Sequence, residues 1–345
     1  MAELLSACLA VRMAAIMDDK HSHSMRKRFR DSEAAELAPD SLPVQMEHPD
    51  AADGDWTVDD FLPPGANIDR VSAVGKPAEF QRFLARELMW RTDDCPDFLL
   101  ALSMAIRAVR IDPACLDARL MLATFAAGPA DEYIEELRRI VAVGERDLGE
   151  KFFRENHGHF WLEMETRPYM RVRSALAEAL RTAGRNAEAI AEFESLLALN
   201  PNDNQGLRYA LLGCYLEEER LDRARQLFRQ FEGEGSAMWD WGQVLERYLS
   251  GDLEGAVAAL ARARRNNSHV ESFLTGKKKV PKSRPDYYQL HQVSEALVCI
   301  DTIGGAWKRH EEAVRWLKRE HGTGILFAPE LRPKRGKRKG KVAEN

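Results

Sequence analysis

Apolar residues recur every three or four positions through most of the chain beyond Pro77, and polar residues fill the intervals. That period predicts a succession of amphipathic helices. The clearest stretch is Arg167–Asp203. Leu176, Ala177 and Leu180 share one helical face. Thr182-Ala183-Gly184-Arg185 then breaks the pattern, with Gly184 suited to the left-handed conformation that ends a helix. A second helix follows, with Ala189, Ile190, Phe193, Leu196 and Leu197 inward. Asn200-Pro201 stops it, because a residue before proline disfavours helical angles.

Other stretches repeat this arrangement. Phe80, Phe83, Leu84, Leu88 and Trp90 predict a first helix. Phe98–Ile111 predicts a second, with Leu102, Ala105, Ile106 and Val109 inward and Asp112-Pro113 closing it. Ala118–Ala126 and Asp131–Val143 predict another pair. Gly144–Glu165 interrupts the period; it is aromatic-rich and reads as a short helix around Leu148–Phe153, then a turn at Asn156–Gly158. Beyond the clearest stretch, Leu211, Tyr215, Ala224, Leu227 and Phe228 repeat the pattern, as do Trp239, Trp241, Gly251, Ala256 and Leu260. Ala189 to Ala224 is a step of 35 and Ala224 to Ala256 a step of 32. Val270–Pro285 reads as a basic connector. Val293–Leu317 predicts two further helices broken at Gly304-Gly305, with Ala313, Val314, Trp316 and Leu317 forming a capping face.

A helical hairpin recurring at about 34 residues is the tetratricopeptide-repeat (TPR) period. Leu176, Ala177, Leu180, Gly184, Ala189, Phe193 and Pro201 resemble the signature positions of that family, with Arg173 where the family often has tryptophan. Glu165–Arg171, Asn200–Tyr209, Asn266–Pro281 and Pro285–Tyr288 resemble bacterial TPR proteins of unassigned function. The Asn-x-His-Val box, Glu295-Ala296 and Ala306-Trp307-Lys308 resemble the soluble end of the suppressor-of-tumorigenicity-seven family. The resemblance covers roughly residues 95–320. It implies an all-α TPR-like α-solenoid and protein interaction, and it brings no catalytic residues. The membrane helices of the eukaryotic members have no counterpart in this sequence.

Composition changes this picture little. The 345 residues carry a formal charge of -5, which makes no global case for a nucleic-acid or membrane partner. The five cysteines are scattered without a CxxC pair, as in a reducing compartment, and a cytoplasmic setting is expected. No segment has the roughly 20 apolar residues of a membrane span. The opening run Met1–Met17 lacks a basic leader and holds Glu3 and Arg12, so it reads as a frayed helix or an early start, with Met17 and Met25 as alternative starts, rather than a signal peptide. Asp55–Leu62, with Trp56, Phe61 and Leu62 among acids, reads as a short docking segment. The expected division is a disordered arm over 1–76, TPR-like repeats over 77–265 (clearest at 167–265), a connector with capping helices over 266–328, and a basic tail over 329–345.

Candidate chemistry is sparse. His157 and His159, near Glu163 and Glu165, are a weak metal candidate without HExxH spacing. There is no nucleophile elbow, no phosphate loop in context and no catalytic cysteine box, so neither an enzyme nor a cofactor is expected. Lys277-Lys278-Lys279 and Pro333–Lys341 lack interleaved aromatics, so no specific nucleic-acid role is expected. The joints at Arg167–Arg173 and Asn200–Arg208 are unusually polar. Capping by Asn202 or Asp203 explains part of the second. Arg167, Tyr169, Arg171, Arg173, Asn204 and Arg208 remain, and they can form a net-positive groove wall for an acidic or carboxylate-ended peptide. The competing account is a solvated face with ion pairs to Glu163, Glu165 or Glu178. The function expected is a non-enzymatic adaptor binding a peptide or protein segment. The alternatives are a structural subunit of a complex, or a metal-dependent protein using His157 and His159.

Overall fold

A computed structural model describes residues 75–93, 95–284 and 287–322. The readings for the amino-terminal arm through residue 74, including the docking segment, and for the tail beyond residue 322 lie outside the described residues. The described residues form an all-α, TPR-like solenoid of helix pairs with no strand among them. The contacts divide it into two units, Met1–Asn204 and Gln205–Asn345.

The helices of the first unit are α1 (Ala78–Asp93), α2 (Phe98–Ile111), α3 (Leu116–Phe125), α4 (Ala130–Glu155), α5 (Arg167–Thr182) and α6 (Asn186–Leu199). Each packs on its neighbour in sequence up to the pair α5 and α6, and α3 also packs on α1 and on α5. Asp97 caps α2 by accepting from the amides of Leu99 (2.9 Å) and Leu100 (3.2 Å). Ala85, Leu88, Leu102, Ala105, Ala108 and Ala118 build the core of the first pair. The small side chains there let the helix axes approach. Trp90, expected on the inner face of α1, is 50% exposed. It lies two residues beyond Leu88, about 200° around an α-helix, while Leu84, Ala85, Leu88 and Met89 face inward.

The interruption is resolved by a longer helix. α4 continues to Glu155, bending at Gly149 (φ 75°), where two separate helices were expected. Phe152, Phe153, Phe160 and Tyr169 then form an aromatic cluster with centroids 5.0–6.2 Å apart. The cluster joins the end of α4, the turn that follows it and the start of α5. The α5–α6 turn follows its sequence: Gly184 has φ 74°, Gly184 N–H donates to Arg181 O (3.0 Å) and Arg185 N–H to Leu180 O (2.9 Å), the pair of bonds of a Schellman motif.

The second unit holds α7 (Leu207–Glu217), α8 (Leu221–Gln230), α9 (Ala237–Leu249), α10 (Leu253–Asn267), α11 (His269–Leu274), α12 (Val293–Arg309) and α13 (Glu311–Gly322). The N-cap of α7 is Gly206, which carries no side-chain cap, so Asn204 and Gln205 precede the helix rather than begin it. α12 departs most from expectation. It runs unbroken through Gly304-Gly305, and the break falls at His310 instead. It packs on α7, α9 and α11 and so lies across the first helices of two successive pairs. A Cβ at Gly213 would stand 2.5 Å from Thr302 O, and one at Gly305 would overlap Glu217 Oε1. Gly213 serves close helix contact, and Gly305 lies inside α12, so neither makes a turn. Trp307, Trp241 and Trp239 are essentially fully buried.

Candidate functional site

Three of the four polar residues singled out at the start of α5, Tyr169, Arg171 and Arg173, are bonded to carboxylates. Tyr169 is 1% exposed, and its hydroxyl donates to Glu145 Oε1 at 3.3 Å. Burial pushes its pKa up to about 12, despite the nearby Arg173 guanidinium. Arg173 has only 11% of its side chain exposed; it donates to Glu192 Oε2 (2.5 Å) and Ser195 Oγ (3.1 Å). Burial would lower its pKa, but Tyr169 and Glu192 more than offset that and raise it. Arg173 therefore fastens α5 to α6 and is not free to meet a partner.

Arg171 differs. Its side chain is 44% exposed, and it grips Asp117 in a bidentate pair, Nε–Oδ1 2.8 Å and Nη2–Oδ2 2.6 Å. Asp117 opens α3, so the pair bridges two first helices of unit 1. Arg167 stacks on Trp161 at 5.3 Å and donates to its carbonyl at 3.1 Å. Of the anticipated partners, Glu165 reaches Arg86 (3.9 Å) and Glu178 reaches Arg181 (2.8 Å). The carboxylates that pair with Arg171 and Arg173, Asp117 and Glu192, lie on α3 and α6 and are not the Glu163, Glu165 or Glu178 named from the sequence.

Asn204 is exposed at the end of unit 1. Arg208, in unit 2, is largely enclosed: it donates to Glu234 Oε2 and Tyr209 Oη, both 2.8 Å, and lies over the Tyr209 and Phe231 rings at 4.4 and 5.2 Å. Burial and the Glu234 contact push the Tyr209 pKa up to about 12. Burial would raise that of Glu234, but the bonds from Arg208 and Tyr209 more than offset it and bring it down.

An exposed feature that the period concealed is Trp90. Arg86 lies 5.7 Å over its ring and reaches Glu165, placing Trp90 near the turn that carries Leu162 (67% exposed) and Met164 (50% exposed). His157 and His159 sit on the exposed turn after α4, and no group of three metal-ligating side chains occurs among the described residues.

The conspicuous boxes near the carboxy terminus converge on a buried network in unit 2. Glu295 is fully buried and accepts from Ala237 N–H (2.9 Å), Asn267 Nδ2 (2.9 Å) and His291 N–H (2.6 Å). Asn266 donates to Asp240 Oδ2 (2.8 Å) and to Gly235 O (2.7 Å), and Arg264 grips Glu271 through two 2.8 Å bonds. The carboxylate at the start of α9 complements the helix dipole and satisfies a free amide. Burial places the Cys299 thiol pKa well above its ordinary value, an inert packing group.

No helix among the described residues is long and apolar enough to cross a membrane. No curated protein matches the chain. The tetratricopeptide-repeat family model matches residues 180–231, from the end of α5 through α8, and supports a TPR protein.

Proposed function

We propose that the protein is a non-enzymatic adaptor whose partner, a peptide or protein segment, docks on the α1–α3–α5 face of unit 1. TPR helices are interaction modules, and the match over residues 180–231 supports that general role. The observation that carries the choice of face is the placement of α12. In unit 2 it lies across α7 and α9, filling the surface that the first helices of a repeat array leave exposed. Among the described residues, unit 1 has no helix of its own laid across α1, α3 and α5 in that way.

That face offers Trp90 as an apolar anchor and Arg171 as a carboxylate reader. An acidic partner has to displace Asp117 from Arg171, an exchange of one carboxylate for another. The gain therefore comes from apolar contact at Trp90 and from positioning rather than from net charge. Arg173 and Tyr169 hold the face in shape. A relation to the bacterial and suppressor-of-tumorigenicity-seven TPR proteins is part of this proposal. It is supported by the meeting of Asn266, Asn267 and Glu295, linked through His291. The four cysteines among the described residues form no disulfide, which fits a reducing, cytoplasmic setting.

The test is affinity capture with the full chain and with Trp90→Ala and Arg171→Glu variants, both at exposed positions. Partners held by the parent chain are expected to be lost from both variants while helicity is unchanged. An identical partner set on both variants sinks this face as the docking site.

A further inference from the structure

Unit 2 contains a cavity that the adaptor reading leaves unused. It measures about 400 Å³ and lies among α11, α12 and α13. Phe273, Leu274, Ile300, Trp307 and Val314 supply an apolar wall. Lys308, Arg315, Lys318 and Glu311 also line it, and all four are exposed, so they mark its solvent edge. Three cations against one carboxylate leave that edge with a net charge of +2 (3 minus 1). The carboxylate is engaged within the edge, Arg315 Nη1 to Glu311 Oε2 at 3.6 Å. Lys308 and Lys318 pair with no carboxylate among the described residues. Lys277, Lys278 and Lys279 follow Leu274 closely in the chain and are exposed as well.

We propose that this cavity binds an anionic amphiphile with a single acyl chain, a medium-chain fatty acid. The hydrocarbon lies against Phe273, Leu274, Ile300 and Val314, and the carboxylate lies among Lys308, Arg315 and Lys318. The combination decides the class. A free phosphate or a nucleic-acid strand leaves the apolar wall unused, and a neutral lipid leaves the cations unused. Lysine suits a carboxylate head held at a solvent edge, because it acts as a mobile point charge with three donors.

The experiment is calorimetric titration of the full chain with decanoate below its micelle-forming concentration, with decanol and acetate as comparators. Saturable binding of decanoate is expected, with weaker binding of decanol and none of acetate. Lys308→Glu with Lys318→Glu is expected to weaken decanoate by about tenfold or more, since two favourable charges become two unfavourable ones. Val314→Trp, which fills the cavity and keeps its charges, is expected to abolish binding. No saturable decanoate binding, equal affinity for decanol, or unchanged affinity in the charge-reversed chain overturns the proposal. Both lysines are exposed, so the charge-reversed chain decides the matter even if Val314→Trp fails to fold.

Discussion

Arg171 and Arg173 stand two residues apart on α5 and do different work. Arg173 is enclosed between α5 and α6 with Glu192, Ser195 and Tyr169, whereas Arg171 meets Asp117 where water still reaches both. Removing Arg173 strands a half-buried carboxylate and a buried phenol, so Arg173→Ala is expected to cost about 1–3 kcal/mol. Arg171→Ala is expected to cost under about 1 kcal/mol, as exposed ion pairs do. Urea unfolding midpoints compared at equal slope measure both. Equal losses would show that enclosure is not what separates them. The sequence made these residues conspicuous through their charge and their place at a helix start. It could not rank them, because the ranking depends on Asp117, 54 residues before Arg171, and on Glu192, 19 residues after Arg173. Trp90 went astray for a similar reason: a large aromatic near an apolar run reads as core, yet its angle around the helix sends it outward.

At the scale of elements, the period was legible wherever a helix packs along one stripe. α5, α6 and the Gly184 turn follow it because local chemistry alone sets them. Gly304-Gly305 was misread because glycine serves two ends, the turn and the close approach, and only the facing helix tells them apart. That facing helix is α7, distant in sequence. The two close-approach glycines differ in what they meet. Gly213 faces the backbone carbonyl of Thr302, which cannot move without shifting α12. Gly305 faces the end of the Glu217 side chain, a flexible group rather than backbone. Gly213→Ala is therefore expected to destabilise by about 1–3 kcal/mol through overpacking. Gly305→Ala is expected to be neutral or to stabilise by up to about 1 kcal/mol, because alanine favours an exposed helix interior. Thermal melting of the two variants checks the contrast, and a Gly305→Ala loss as large as that of Gly213→Ala would contradict the assignment.

At the scale of the whole molecule, the question is whether both units offer a docking face. The repeat pattern by itself predicts one open face per array of hairpins, and it could not foresee that the chain supplies its own occupant for unit 2. α12 sits on α7 and α9 like a bound helix, yet its chemistry is that of a core element. Ala296, Cys299, Ile303, Ala306 and Trp307 are fully buried on it, Glu295 satisfies the first amide of α9, and His310 just beyond it bonds Leu216 O at 3.0 Å. A displaceable ligand would leave α7 and α9 able to stand alone. A core element would not, because its removal exposes Trp241 and leaves Asn267 without its carboxylate. Hydrogen exchange on the full chain separates the two cases. If α12 is core, its amides are expected to exchange at rates close to those of α9, in one cooperative unit, with both accelerated together by Trp307→Ala. Exchange of α12 far faster than α9 would make it a removable plug, and the surface beneath it would then join unit 1 as a candidate docking face.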